Sequence, residues 1–132
     1  MTIRALPLRL YPGDDLRGAV EAALQGHGAA FVVQGIGSLS IAQLRFAGRP
    51  EPDELVGDLE ILTLAGTISP DGAHLHMSVA GADGRVSGGH VAPGCIVRTT
   101  AELLVALLPG HAFARQLDDT TGYPELAIRI IG

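Results

Sequence analysis

Three of the five histidines of this chain fall within seventeen residues, in the run D-G-A-H-L-H-M-S-V-A-G-A-D-G-R-V-S-G-G-H-V from Asp71 to Val91. His74 and His76 are spaced i, i+2. In a β-strand alternate side chains point to opposite faces, so these two imidazoles share one face while Ala73, Leu75, Met77 and Val79 line the other. Whether His90 joins them depends on the turn at Asp83-Gly84. A two-residue loop pairs Ala82 with Arg85 and turns His90 to the apolar face. A three-residue loop, Ala82-Asp83-Gly84, built as a type I turn closed by a left-handed glycine, pairs Gly81 with Arg85 and therefore His76 with His90. Directly opposed Cβ atoms lie roughly 5 Å apart, and His74 stands about 7 Å away on the same face. Gly88-Gly89 brings no side chains to crowd that point and marks a bulge or a close backbone approach; a bulge there also rescues the two-residue loop.

Three neutral imidazoles with one position left open are the donor set of catalytic zinc. The spacing therefore predicts a divalent metal, zinc first, held by His74, His76 and His90. The competing reading is three histidines that only form hydrogen bonds. A second candidate is Glu60, a lone carboxylate in the apolar run D-L-E-I-L-T-L-A-G from Asp58 to Gly66. Burial would raise its pKa and prepare it for proton transfer, whereas an edge-strand glutamate simply reaches water.

The elements that position these residues are mostly strands. Ile3 to Leu10 reads as an edge strand, Pro12-Gly13-Asp14 as a turn, and Leu16, Ala19, Val20, Ala23 and Leu24 as one amphipathic helix capped by Asp14 or Asp15 and ending near Gly26 to Gly28. His27 is a helix-end residue. Ala29 to Gln34 is a short strand, Gly35-Ile36-Gly37-Ser38 a loop, and Leu39 to Phe46 a strand with a bulge near Ala42. The G-x-G-S loop lacks the lysine of a phosphate loop and the third glycine of a dinucleotide fingerprint. Arg49 to Glu54 is an exposed polar loop, and Ser69-Pro70-Asp71-Gly72 turns the chain into the histidine strand. From Cys95 to Leu108 the β-branched residues favour a strand while T-x-x-E at Thr99 to Glu102 resembles a helix capping box, so 99–108 stays open between the two. His111 falls in a loop, Arg115 to Pro124 in a polar loop whose Asp118-Asp119 pair is a weak cation site, and Leu126 to Ile131 in a final strand.

A chain of 132 residues with 47% hydrophobic content is expected to form one domain over 1–132, and 4% aromatics without Trp make its core aliphatic. Mostly strands with one helix give an α+β fold around a mainly antiparallel sheet. The net charge is -5, and all nine basic residues are arginines spaced singly from Arg4 to Arg129, a pattern that disfavours duplex DNA. The lone Cys95 excludes an internal disulfide and reads as a small buried hydrophobe. With no long apolar run at its start, the chain is expected to be cytoplasmic and not membrane-bound.

The order R-L-Y-P-G-D-D-L, G-I-G-S-L, D-L-E-I-L-T-L-A-G-T-I, D-G-A-H-L-H-M-S-V-A, G-G-H-V and T-G-Y-P-E-L resembles the prokaryotic branch of the plants and prokaryotes conserved (PPC) domain over nearly the whole chain. That resemblance implies an α+β fold and a homotrimer, and brings the family's common label as DNA-binding; the AT-hook core R-G-R-P of plant relatives has no counterpart here. The central part is also similar to acetolactate decarboxylase, a metal-dependent lyase. Its H-L-H and G-G-H-V strands match His74-Leu75-His76 and Gly88-Gly89-His90-Val91, which implies His74, His76 and His90 as metal ligands and Glu60 as an acid/base. Two functions follow as expectations: a metal-binding homotrimeric module, or a small lyase-like metalloenzyme acting on a carbonyl or carboxylate substrate.

Overall fold

The computed structural model describes residues 2–131. Long aliphatic alternation drives most of them into strands: β1 (Arg4–Leu10), β2 (Ala30–Arg45), β3 (Asp53–Ser69), β4 (Gly72–Ala80), β5 (Val86–Val91), β6 (Ile96–Leu107), β7 (His111–Leu117) and β8 (Pro124–Ile130), with a single helix α1 (Leu16–Ala23) among the described residues. Six strands form one sheet in the order β1-β6-β2-β3-β4-β5, and β7-β8 stand apart as a hairpin. Every strand pairing is antiparallel, in keeping with the expected mainly antiparallel sheet with one helix. β5 also pairs back onto β2, so β2, β3, β4 and β5 close into a ring.

The helix begins where Asp15 caps it, its carboxylate accepting from the Gly18 N–H at 2.8 Å, and Gly26 follows its end with a φ of 88°. Leu16, Val20 and Leu24 share one buried cluster with Leu39, Leu44, Leu64, Leu75 and Val79 of the sheet. Full burial of each such side chain contributes about 1.5–3 kcal/mol, so this aliphatic cluster anchors the ring, with Phe46 packed against it. Glu21 ties the helix to the start of β4, its carboxylate accepting from the Ala73 N–H at 2.9 Å.

Several expectations are corrected. Gly35-Ile36-Gly37-Ser38 is no loop: β2 runs unbroken through it, because pairing to β3 on one edge and β6 on the other satisfies its backbone. Irregularities absorb the mismatch, one of them between Val32 and Gln34, where the Gln34 side-chain oxygen accepts from the N–H groups of Gly35 and Leu64. The register shift placed near Ala42 falls between Leu39 and Ile41. β3 begins at Asp53, inside the stretch read as loop. Residues 99–107 are strand, the β-branched preference winning over the capping-box signal once β6 lies between β1 and β2. His111 opens β7 instead of lying in a loop, and β7 extends through Arg115 to Leu117. The edge strand and the buried Cys95 are as expected; the Cys95 sulfur accepts from the Gln43 N–H at 3.2 Å, and burial pushes its thiol pKa up.

Gly89 holds the ring closed, since a Cβ there would stand 2.7 Å from the Arg45 carbonyl oxygen across the β2–β5 seam. Gly89→Ala is expected to destabilise the fold by about 1–3 kcal/mol, the range for overpacking. Urea unfolding that shows no loss of stability in the variant would contradict the close approach.

Candidate metal centre

His74 and His76 project from the outer face of β4, while the alternate residues Ala73, Leu75, Met77 and Val79 are buried in the core. The turn that follows decides the third position. The Gly81 N–H donates to the Arg85 carbonyl at 2.9 Å, the Gly84 N–H to the Gly81 carbonyl at 2.9 Å, and Gly84 has a φ of 82°. Asp83 stiffens the loop by accepting from the Arg85 N–H at 2.9 Å. This is the three-residue loop with a left-handed glycine, and it sets His76 directly opposite His90.

The imidazole centroids are 4.3 Å apart for His76 and His90, 5.0 Å for His74 and His76, and 5.4 Å for His74 and His90. One nitrogen from each ring lies within 4.8 Å of the others. Around a tetrahedral zinc with Zn–N bonds near 2.0–2.1 Å the nitrogens would be roughly 3.4 Å apart, within reach of small side-chain rotations. The donor set therefore fits a divalent ion of zinc type.

The surroundings hold two of the rings neutral. Partial desolvation lowers the His74 pKa to about 4, aided by the positive charge of Arg115, by His76 and His90, and by Arg17. His90 is lowered too, by desolvation, then by His76 and Arg45. A neutral imidazole is the form that binds metal, so these shifts keep the ligands ready at pH 7.

Glu60 is not brought to this cluster. It is exposed on β3, opposite Ala80, four residues along β4 from His76 and therefore roughly 13 Å away at 3.3 Å per residue. The side chains that do surround the histidines were not singled out by sequence. Arg45 is the register partner of His90 across the β2–β5 seam. Arg115 donates to the Thr67 hydroxyl at 2.6 Å, and Thr67 is the register partner of His74. With Arg17 and Arg49 they line a cleft of about 930 Å³ that also includes His74 and His90. Arginines spaced singly in sequence thus gather in space, which corrects the picture of scattered charge. Nothing local to Arg45 foretells a partner 45 residues away.

Residues 2–109 match the Plants and Prokaryotes Conserved (PCC) domain. The chain belongs to this family. The bifunctional protein GlmU of Synechococcus sp. (strain JA-3-3Ab) is 49% identical over 129 residues; the match takes in 96% of this chain and 21% of that protein, so the chain spans about a fifth of that relative's length. Among solved structures, a hypothetical protein from Salmonella enterica has a TM-score of 0.94 at 40% identity, covering 98% of this chain and 95% of the other. A metal-containing protein from Archaeoglobus fulgidus has a TM-score of 0.80 at 31% identity, with 94% and 93% covered. A "Putative DNA-binding protein" from Ralstonia eutropha has a TM-score of 0.78 at 24% identity, with 92% and 89% covered, a likeness that shows the fold alone.

The lowered histidines make a pH prediction for metal-free protein. The unfolded chain takes up a proton near the ordinary histidine value of 6.5, whereas folded His74 resists until about 4. Folded stability from this group is therefore present above about 6.5 and is lost as pH falls toward 4. Nitrogen-15 NMR titration should find the His74 midpoint near 4 and that of His90 lowered from the ordinary histidine value; a His74 midpoint at or above 6.5 would remove this account of the site.

Proposed function

We infer that this protein is a metal-binding module of its family that assembles as a homotrimer, with a divalent cation, zinc first, held by His74, His76 and His90. The observation that carries this reading is the convergence of three imidazole nitrogens within 4.8 Å. A relative at 31% identity that is itself metal-containing adds support. A bound zinc ion supplies Lewis acidity at its open position, and the histidines' part is to present neutral nitrogens from two rigid strands. Self-association is supported by exposed apolar side chains on the outer sheet face, Ile36 of β2, Leu62 of β3 and Leu104 of β6, which water alone covers in one chain.

The second reading is a small lyase-like enzyme in which Glu60 moves protons for a carbonyl or carboxylate substrate. Glu60 shares the outer face with the histidines and sits beside Ile36 and Leu62, so this reading needs a second copy to bring Glu60 to its neighbour's imidazoles. Duplex DNA is the weakest partner, because the chain carries a net charge of -5.

Elemental analysis after zinc reconstitution and dialysis tests the centre. One zinc per chain is expected in the wild type and none in the His74→Ala, His76→Ala double variant; wild-type protein that retains no metal sinks the reading. Sedimentation equilibrium of the same samples should give three times the 13.6 kDa of one chain.

A further inference from the structure

The largest opening beside the histidines is walled by positive charge from four different parts of the chain. Arg17 comes from α1, Arg45 from the end of β2, Arg49 from the β2–β3 turn and Arg115 from β7. Arg17 is partly neutralised by Glu21 at 3.6 Å. The other three take part in no ion pair among the described residues. Two of them are nevertheless held in place: Arg45 donates to the Arg49 carbonyl at 3.2 Å, and Arg115 to Thr67 at 2.6 Å. Of the two carboxylates in the cleft wall, Asp71 is engaged by the Arg115 backbone N–H at 2.8 Å, and Glu125 is exposed on β8.

Guanidinium groups that line one cleft without carboxylate partners give it a positive potential that an anion relieves. Their planar N–H forks match the oxygens of a carboxylate or phosphate. The cleft's volume of about 930 Å³ is that of a small-molecule site. We propose that this cleft binds a small oxyanion, the carboxylate or phosphate end of a metabolite, on Arg45, Arg49 and Arg115, with the rest of the molecule directed toward His74 and His90. The site shares its inner wall with the proposed metal centre but stands on the arginines, so the two ideas fail separately.

The test is isothermal titration calorimetry of full-length protein with inorganic phosphate and, in a second arm, oxalate, each against metal-free and zinc-loaded samples. Saturable binding in the metal-free sample is expected. Arg45→Gln and Arg49→Gln should each weaken it about tenfold or more, the scale of a lost charge-assisted hydrogen-bond pair. Arg49 is exposed in a turn, so its variant is expected to fold even if Arg45→Gln does not, and Arg85→Gln in the distant β4–β5 loop should leave binding unchanged. The stronger of the two arms names the headgroup. The proposal is overturned by no binding of either probe at millimolar concentration, by binding that survives both substitutions, or by binding that appears only with zinc and ignores the arginines. Duplex DNA that displaces phosphate at physiological salt would also overturn it, assigning the cleft to a nucleic-acid backbone instead. Phosphate binding in a protein that takes up no zinc leaves the anion site standing and removes the metal.

Discussion

Strand β5 is six residues long and must satisfy two partners, pairing along most of its length with β4 and, at His90 and Val91, with β2. That double obligation fixes the geometry of everything at this end of the molecule. Register with β4 puts His90 opposite His76, and register with β2 puts the same residue opposite Arg45. A one-residue slip would reverse the faces, burying the imidazole and exposing the core side of the strand. Backbone hydrogen bonding, a general requirement of buried chain, thus specifies a chemical site.

Two glycines make the double pairing sterically feasible. A Cβ on Gly88 would sit 3.1 Å from the Met77 carbonyl oxygen on the β4 side, and one on Gly89 2.7 Å from the Arg45 carbonyl oxygen on the β2 side. The G-G-H order is therefore a packing requirement first and a chemical motif second.

What was legible in the sequence is what local chemistry decides. The turn Ala82-Asp83-Gly84 could be read because a left-handed glycine and an aspartate that bonds two residues onward act within a few residues, and it carried the His76–His90 pairing with it. The helix and a cap at Asp14 or Asp15 were legible for the same reason, and the structure selects Asp15. Where pairing over long distances decides, the reading failed. Gly35 and Gly37 look like loop residues, yet they lie against Leu103 and Ala101 of β6, where side chains would clash, and so belong to a strand interior. Residues 99–107 kept two local readings open until β1 and β2 flanked them. Glu60 stayed open between burial and water on its apolar neighbours alone; in β3 it alternates with the buried Leu59 and Ile61 and so lies on the outer face. The four arginines were unreadable as a group because strands β2, β3, β4 and β7 and helix α1 must all be placed before they meet.

The arginine cleft also changes what the net charge of -5 means. Charges screen one another over about 8 Å at physiological ionic strength, so a small anion in the cleft responds to the guanidinium groups beside it and little to acidic groups elsewhere. A duplex offers one negative charge about every 1.7 Å of its axis and extends well beyond any single cleft. Its outlying phosphates would meet a surface on which acids outnumber bases, 14 to 9 over the whole chain. The same charge distribution therefore disfavours a long polyanion and favours a compact one. It acts on the histidines too: desolvation lowers His74 and His90 most, and Arg115 and Arg17 add to it at His74 and Arg45 at His90. Positive charge that attracts an anion into the cleft thus reinforces the desolvation that lowers the adjoining imidazoles, so one arrangement of side chains bears on both halves of the site.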